Sequence, residues 1–132
     1  MQNTKKIYCE ISAGELFDKI SILEIKNKNI KDRYKKLIIT RELSSLKKTS
    51  VNNFKLTSSL NKYYQKLKSI NLKLWKIEDE IRDHERNKQF NNKFIKLARA
   101  VYFTNDLRSQ IKNKINTLTK SGISEVKSYK KY

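Results

Sequence analysis

The sequence predicts an all-α protein: a small helical bundle built on one long antiparallel helical hairpin, with a short extended segment ahead of the first helix. Three observations carry that reading. The 132 residues include no Pro and only two Gly, so little interrupts long helices. Apolar residues in the second half recur at alternating spacings of four and three. The two seams so formed match each other in length and phase.

From the start of the chain, Ile7, Cys9 and Ile11 alternate with Tyr8 and Glu10, a pattern that suits a half-buried extended segment. Ser12-Ala13-Gly14-Glu15 then reads as a capping box, in which the Ser12 hydroxyl accepts from the amide of Glu15. A helix over about 13–30 follows, with Leu16, Ile20 and Leu23 on one face. Asp32 is placed to cap a second helix, about 33–48, carrying Leu37, Ile39, Leu43 and Leu46. Thr49 to Asn53 reads as a loop, because small polar side chains compete for backbone hydrogen bonds.

The third helix, about 55–88, carries Leu56, Leu60, Tyr63, Leu67, Ile70, Leu74, Ile77 and Ile81, with His84 continuing the seam. Its length would be about 50 Å. Asn87 to Asn92 supplies a turn. The fourth helix, about 92–120, carries Phe94, Leu97, Val101, Thr104, Arg108, Ile111, Ile115 and Leu118, and is expected to stop near Gly122. One antiparallel register pairs His84 with Phe94, Ile77 with Val101, Ile70 with Arg108 and Tyr63 with Ile115. A polar tail, 123–132, completes a single domain, 1–132. Two helices leave their stripe half covered, so either the first two helices or a second copy of the chain, as a homodimer, must close it.

No apolar run approaches the roughly 20 residues of a membrane span, and the first residues lack the apolar stretch of a signal peptide. The expected compartment is the cytoplasm. One cysteine and one histidine rule out an intrachain disulfide and a Cys/His zinc site, so any metal would be a hard ion such as Mg²⁺ held by oxygens. The formal net charge of +18 permits a polyanionic partner. Twenty-five lysines against six arginines, with abundant Ile and Asn, also fit a coding sequence rich in A and T.

The seam of the last helix is broken by Thr104 and Arg108, flanked by Asn105 and facing Asn71 and Trp75. A guanidinium stays charged, so a buried one requires a carboxylate or an anion. Asp18, Glu15 or Glu24 of the first helix, or a ligand, are the candidate partners. A structural ion pair that fixes register and an anion-binding pocket are both consistent with the pattern.

Glu78-Asp79-Glu80 with Arg82, Asp83, Glu85 and Arg86 face Lys93, Lys96 and Arg99 across the turn. They form either a solvated salt-bridge network or, with Glu15 and Asp18, a carboxylate site for Mg²⁺ of the kind a nucleotide hydrolase uses. Lys55, Lys62, Lys66, Lys73 and Lys76 each precede a seam residue. This stripe either covers apolar surface with its methylene stems or lies along a nucleic-acid backbone. His84 reads as a satisfied turn histidine and Cys9 as an inert thiol. Neither a Gly-rich phosphate loop nor a nucleophile elbow is present, so no catalytic residues are assigned.

Gly14-Glu15-Leu16 with Asp18-Lys19, Ile22-Leu23-Glu24-Ile25-Lys26, Leu74-Trp75-Lys76-Ile77-Glu78-Asp79 with Arg82, and Leu97-Ala98-Arg99-Ala100-Val101-Tyr102 with Asn105-Asp106 and Arg108 carry a resemblance. They resemble DUF6165, an uncharacterised helical domain-of-unknown-function family of marine bacteria and their phages. That resemblance implies a single domain and, through neighbouring glycan genes, a sugar-phosphate or glycan-pathway setting. It draws attention to Glu15, Lys19, Glu24, Glu78, Arg82, Arg99, Tyr102, Asn105 and Arg108, which fall within its motifs.

The expected function is a helical binding module holding a small anionic or phosphorylated ligand between helices. The alternatives are a nucleic-acid binder using the lysine stripe and a structural or oligomerisation protein. If the chain is an enzyme, a Mg²⁺-dependent nucleotide hydrolase is the form to test.

Overall fold

The computed structural model describes residues 5–132 and contains four helices: α1, Ala13–Asn29; α2, Arg33–Asn53; α3, Ser58–Arg86; and α4, Asn92–Thr119. No strand occurs among the described residues. Each helix begins on a side-chain cap that satisfies one of its orphan amides. Ser12 accepts from Glu15 N at 3.0 Å, Asp32 from Lys35 N at 2.9 Å, Thr57 from Leu60 N at 3.2 Å, and Asn91 from Phe94 N at 3.0 Å.

α3 and α4 form the long antiparallel hairpin. His84 packs on Phe94 beside the turn, with ring centroids 6.4 Å apart, and Lys114 lies 6.0 Å over the Tyr63 ring towards the other end. Both contacts agree with the expected register. α1 fills the groove of this hairpin and is the hub of the bundle, since α2, α3 and α4 all pack on it. The core joins Leu16, Phe17, Ile20 and Leu23 of α1 to Ile39 and Leu43 of α2, Leu60, Tyr64 and Leu67 of α3, and Ile115 of α4. Phe17 sits between Phe54 and Tyr64, its ring 5.7 and 6.0 Å from theirs.

Several sequence expectations are corrected. Thr49–Asn53 is not a loop but the last turn of α2. The polar side chains that argued for a break turn back onto the helix: the Thr49 hydroxyl donates to Ser45 O at 3.2 Å and Asn53 Nδ2 to Thr49 O at 2.8 Å. α3 starts at Ser58 rather than 55, so Lys55 and Leu56 fall outside it and Leu56 is exposed.

Ile7, Cys9 and Ile11 are non-helical as expected but exposed rather than half-buried. α4 ends at Thr119, close to Gly122 as expected, and the left-handed cap conformation is taken by Lys120, φ 56°, ψ 44°. In the second half of α4 the buried stripe moves from Leu118, which is exposed, to Ser109, Lys112, Ile115 and Asn116. A straight helix drifts about 20° per heptad against a seven-residue repeat, and here the drift turns that stripe towards α1.

Candidate functional site

Asp18 occupies the core-facing side of α1 and is 1% exposed. A carboxylate so buried needs partners for both oxygens. Arg108 of α4 supplies a fork, donating from Nε to Oδ1 at 2.9 Å and from Nη2 to Oδ2. Asn71 of α3 donates to Asp18 Oδ1 and to Ser21 Oγ, both at 2.8 Å, so its two N–H groups are used. Three helices are thereby tied at one point.

One turn further along α4, Lys112 is buried and extends the network. Its ammonium donates to Glu15 at 2.7 Å and to Glu125 at 2.5 Å, and lies 3.9 Å from Asp18. The hydrogen bond to Asp18, with attraction to Asp18, Glu15 and Glu125, outweighs burial and raises the Arg108 pKa. Burial lowers that of Lys112, yet Glu125, Glu15 and Asp18 more than reverse it, so both cations stay charged. Glu125 also fastens the segment after α4, since its amide donates to Asn113 Oδ1 at 2.8 Å and its carbonyl accepts from Asn113 Nδ2 at 3.0 Å.

Arg108 keeps one edge for the outside. Nη1 makes only a 3.4 Å contact with Asn105, and the guanidinium lines a cleft of about 510 Å³ between α1, α3 and α4. Ile22, Ile25, Leu74 and Trp75 give the cleft an apolar wall, and Asn71, Asn105, Glu78, Asp79 and Arg82 its polar groups. Arg82 is paired loosely with Glu78, Nε to Oε2 at 3.5 Å, and its side chain is largely in solvent.

Residues 7–132 match a family of unknown function, DUF6165. The chain belongs to that family. No curated protein and no solved structure matches it.

In this DUF6165 member the residues singled out from sequence are distributed over several places. Glu78, Arg82, Asn105 and Arg108 line the cleft together. Glu15 is turned to Lys112 beside it. Glu24 is not opposite Arg108. It accepts from the Tyr64 hydroxyl at 2.7 Å and from Lys68 at 2.5 Å, with Lys47 at 3.7 Å, and so joins α1 to α2 and α3. Burial pushes the Glu24 carboxyl up, but Lys68 and Tyr64 hold it below the ordinary value. Lys19 is exposed on the surface of α1. Arg99 and Tyr102 lie on other faces of α4, Arg99 with Lys73 and Lys96, and Tyr102 against the last residues of the chain.

The carboxylate site that stood as an alternative to a salt-bridge network does not form among the described residues. Asp18 is taken by Arg108 and Asn71, Glu15 by Lys112, and among the described residues no group of three or more His, Cys, Asp or Glu side chains is placed to hold a metal ion. Lys62, Lys66, Lys73 and Lys76 are exposed along α3, and Lys55 precedes it. The Lys66 ammonium lies 5.9 Å over the Tyr63 ring, a cation–π contact. His84 Nδ1 pairs with Glu80 O at 2.8 Å, a satisfied turn histidine. Sequence reasoning missed Lys112 and Glu125. The signal for Lys112 was its position four residues after Arg108, on the same helical face. No helix among the described residues is long and apolar enough to cross a membrane.

Proposed function

We propose that this protein is a binding module whose cleft between α1, α3 and α4 takes a small anionic ligand, of the phosphosugar or nucleotide class. The observation that carries the proposal is Arg108. Asp18 fixes its guanidinium through Nε and Nη2, Nη1 makes only a 3.4 Å contact with Asn105, and Arg108, Asn105 and Arg82 all line the cleft. A pre-positioned guanidinium loses little freedom on meeting a phosphate oxygen, which favours binding. Trp75 offers a flat apolar face for a sugar or base, and Glu78 and Asp79 offer acceptors for sugar hydroxyls.

The committed state of Asp18 and Glu15, each held by a cation, favours a binder over a metal-dependent hydrolase. We place it in the cytoplasm of a bacterium or phage-infected cell, accessory to glycan biosynthesis, on the strength of the family resemblance.

A thermal-shift screen of nucleotides, sugar nucleotides and phosphosugars tests the cleft. A ligand at about a hundred times its Kd adds about 2.7 kcal/mol of stability and should raise the melting temperature by about 5–10 °C. Arg82→Met and Asn105→Ala should each remove most of that shift while the unliganded protein melts as before. A shift that survives both substitutions would move the ligand elsewhere, and failure of every compound would remove the proposal.

A further inference from the structure

The nucleic-acid reading drawn from composition rested on the α3 lysine stripe; one member of it, Lys73, lies with Lys96 and Arg99 beside an aromatic surface on α4. Tyr102 and Phe103, adjacent on α4, meet Tyr132 of the final segment. Ring centroids are 4.9 Å apart for Tyr102–Phe103, 5.4 Å for Tyr102–Tyr132 and 4.7 Å for Phe103–Tyr132. All three rings are exposed, Tyr132 at 74%. An apolar group so open normally finds cover, and an aromatic platform in solvent is suited to stacking.

Cations border the platform on both sides. The Arg99 guanidinium lies 5.6 Å over Phe103 and lines a groove with Lys73 and Lys96. Beyond Tyr132, Lys127, Lys130 and Lys131 line a broader groove of about 880 Å³ with Tyr129. Among the described residues that line these grooves, the carboxylate side chain is Asp106. It pairs with Lys127 at 3.4 Å and accepts from the Tyr132 hydroxyl, which fixes that ring in place. Lys73, Lys96, Arg99, Lys130 and Lys131 form no ion pair among the described residues. Positive charge without partners, aligned with stacked rings, complements a flexible polyanion carrying flat apolar groups.

We propose that this surface binds single-stranded nucleic acid, the phosphates tracking the two lysine groups and the bases stacking on Tyr102, Phe103 and Tyr132. A duplex buries its bases against each other and offers such rings nothing to stack on, so single strands are preferred. Asn105 borders both this surface and the α1–α3–α4 cleft, and the platform rings and the lysines on either side of them line only the former.

Fluorescence anisotropy of the full chain with a labelled oligothymidylate of about 16 nucleotides tests the proposal, with a duplex of equal length alongside. Saturable binding is expected, tighter for the single strand at equal salt, its logarithm falling by about 0.7 per phosphate contact for each unit of log salt. Tyr102→Ala with Tyr132→Ala should weaken it about tenfold or more and leave the salt slope in place. Arg99→Gln with Lys131→Gln should lower the slope by about 1–2. Lys62→Gln with Lys66→Gln, on the stripe, should change affinity by less than the platform variants. Equal or tighter binding of the duplex, equal loss from stripe and platform variants, or no binding at low salt would each overturn the assignment. Unchanged melting temperatures of the variants confirm that the fold is not what was lost.

Discussion

Asp18 is the residue on which the three-helix junction turns. It is 1% exposed and held by a guanidinium and an amide from two other helices. Removing one member of such a set leaves the others desolvated, which costs more than the set contributes as a whole. Asp18→Ala should therefore lower the unfolding free energy by about 3 kcal/mol, read from urea midpoints. Combining Asp18→Leu with Arg108→Met should recover much of it, because an apolar pair leaves no orphaned charge; a double variant no more stable than Asp18→Ala would contradict this account. Glu24 supplies a pH-dependent term. Its carboxyl is depressed below the ordinary 4.5 by Lys68 and Tyr64, against the opposing effect of burial. A depressed carboxyl stabilises the fold above its unfolded pKa and loses that contribution as pH falls through the folded value. Stability should thus decline as pH drops below about 4.5. In Glu24→Gln that part of the decline should be absent from urea midpoints measured between pH 6 and the acid limb.

At the scale of elements, caps and seams were legible in the sequence and their meeting points were not. Ser12 and Asp32 announced their helices because a short oxygen side chain before a helical stretch has one strong local use. Thr49 and Asn53 deceived because the same hydrogen-bonding capacity can turn inward to a carbonyl one turn back, and sequence does not say which outcome wins. Arg108 stood out as a polar break in an apolar seam, and Asp18 was among its expected partners. Lys112 showed only its spacing of four from Arg108, since its burial depends on how α1 crosses α4, and Glu125 showed nothing, because it is brought in by the segment after α4 folding back onto Asn113.

Gly14 shows how close that crossing is. Its amide donates to Asn116 Oδ1 at 2.7 Å, and a Cβ built there would stand 2.5 Å from the backbone oxygen of Lys112. Helix propensity alone would make Gly14→Ala stabilising by about 1 kcal/mol. Collision with backbone should win, and we expect a net loss of about 1–3 kcal/mol in thermal or urea unfolding. A gain in stability would mean that α1 can move off α4 at little cost.

Across the whole molecule, the positive charge is spread over every helix while the carboxylates inside the bundle are spent on internal partners. A formal charge of +18 repels itself, and added salt screens that repulsion over a Debye length of about 10 Å at 0.1 M. The exposed ion pairs such as Arg82–Glu78 contribute little and lose little. Raising sodium chloride from about 0.02 to 0.2 M should therefore raise the melting temperature. A fall on adding salt would show that attractive pairs, not overall repulsion, dominate. The bundle follows from the sequence because the two long seams are self-consistent; what covers their stripe was left open between the first two helices and a second copy, and within this chain α1 lies across it while α2 packs on α1.

The span between Asp18 and Arg108, ninety residues of chain, has a consequence during synthesis. At about 5–20 residues per second, a ribosome needs roughly 5–20 s to deliver the guanidinium after the carboxylate has been made. Through that interval the nascent α1 carries its oily face and its future inward-facing acid without the helix that accommodates them. The chain is thus obliged to close on itself late, its hub open until the last helix has been made.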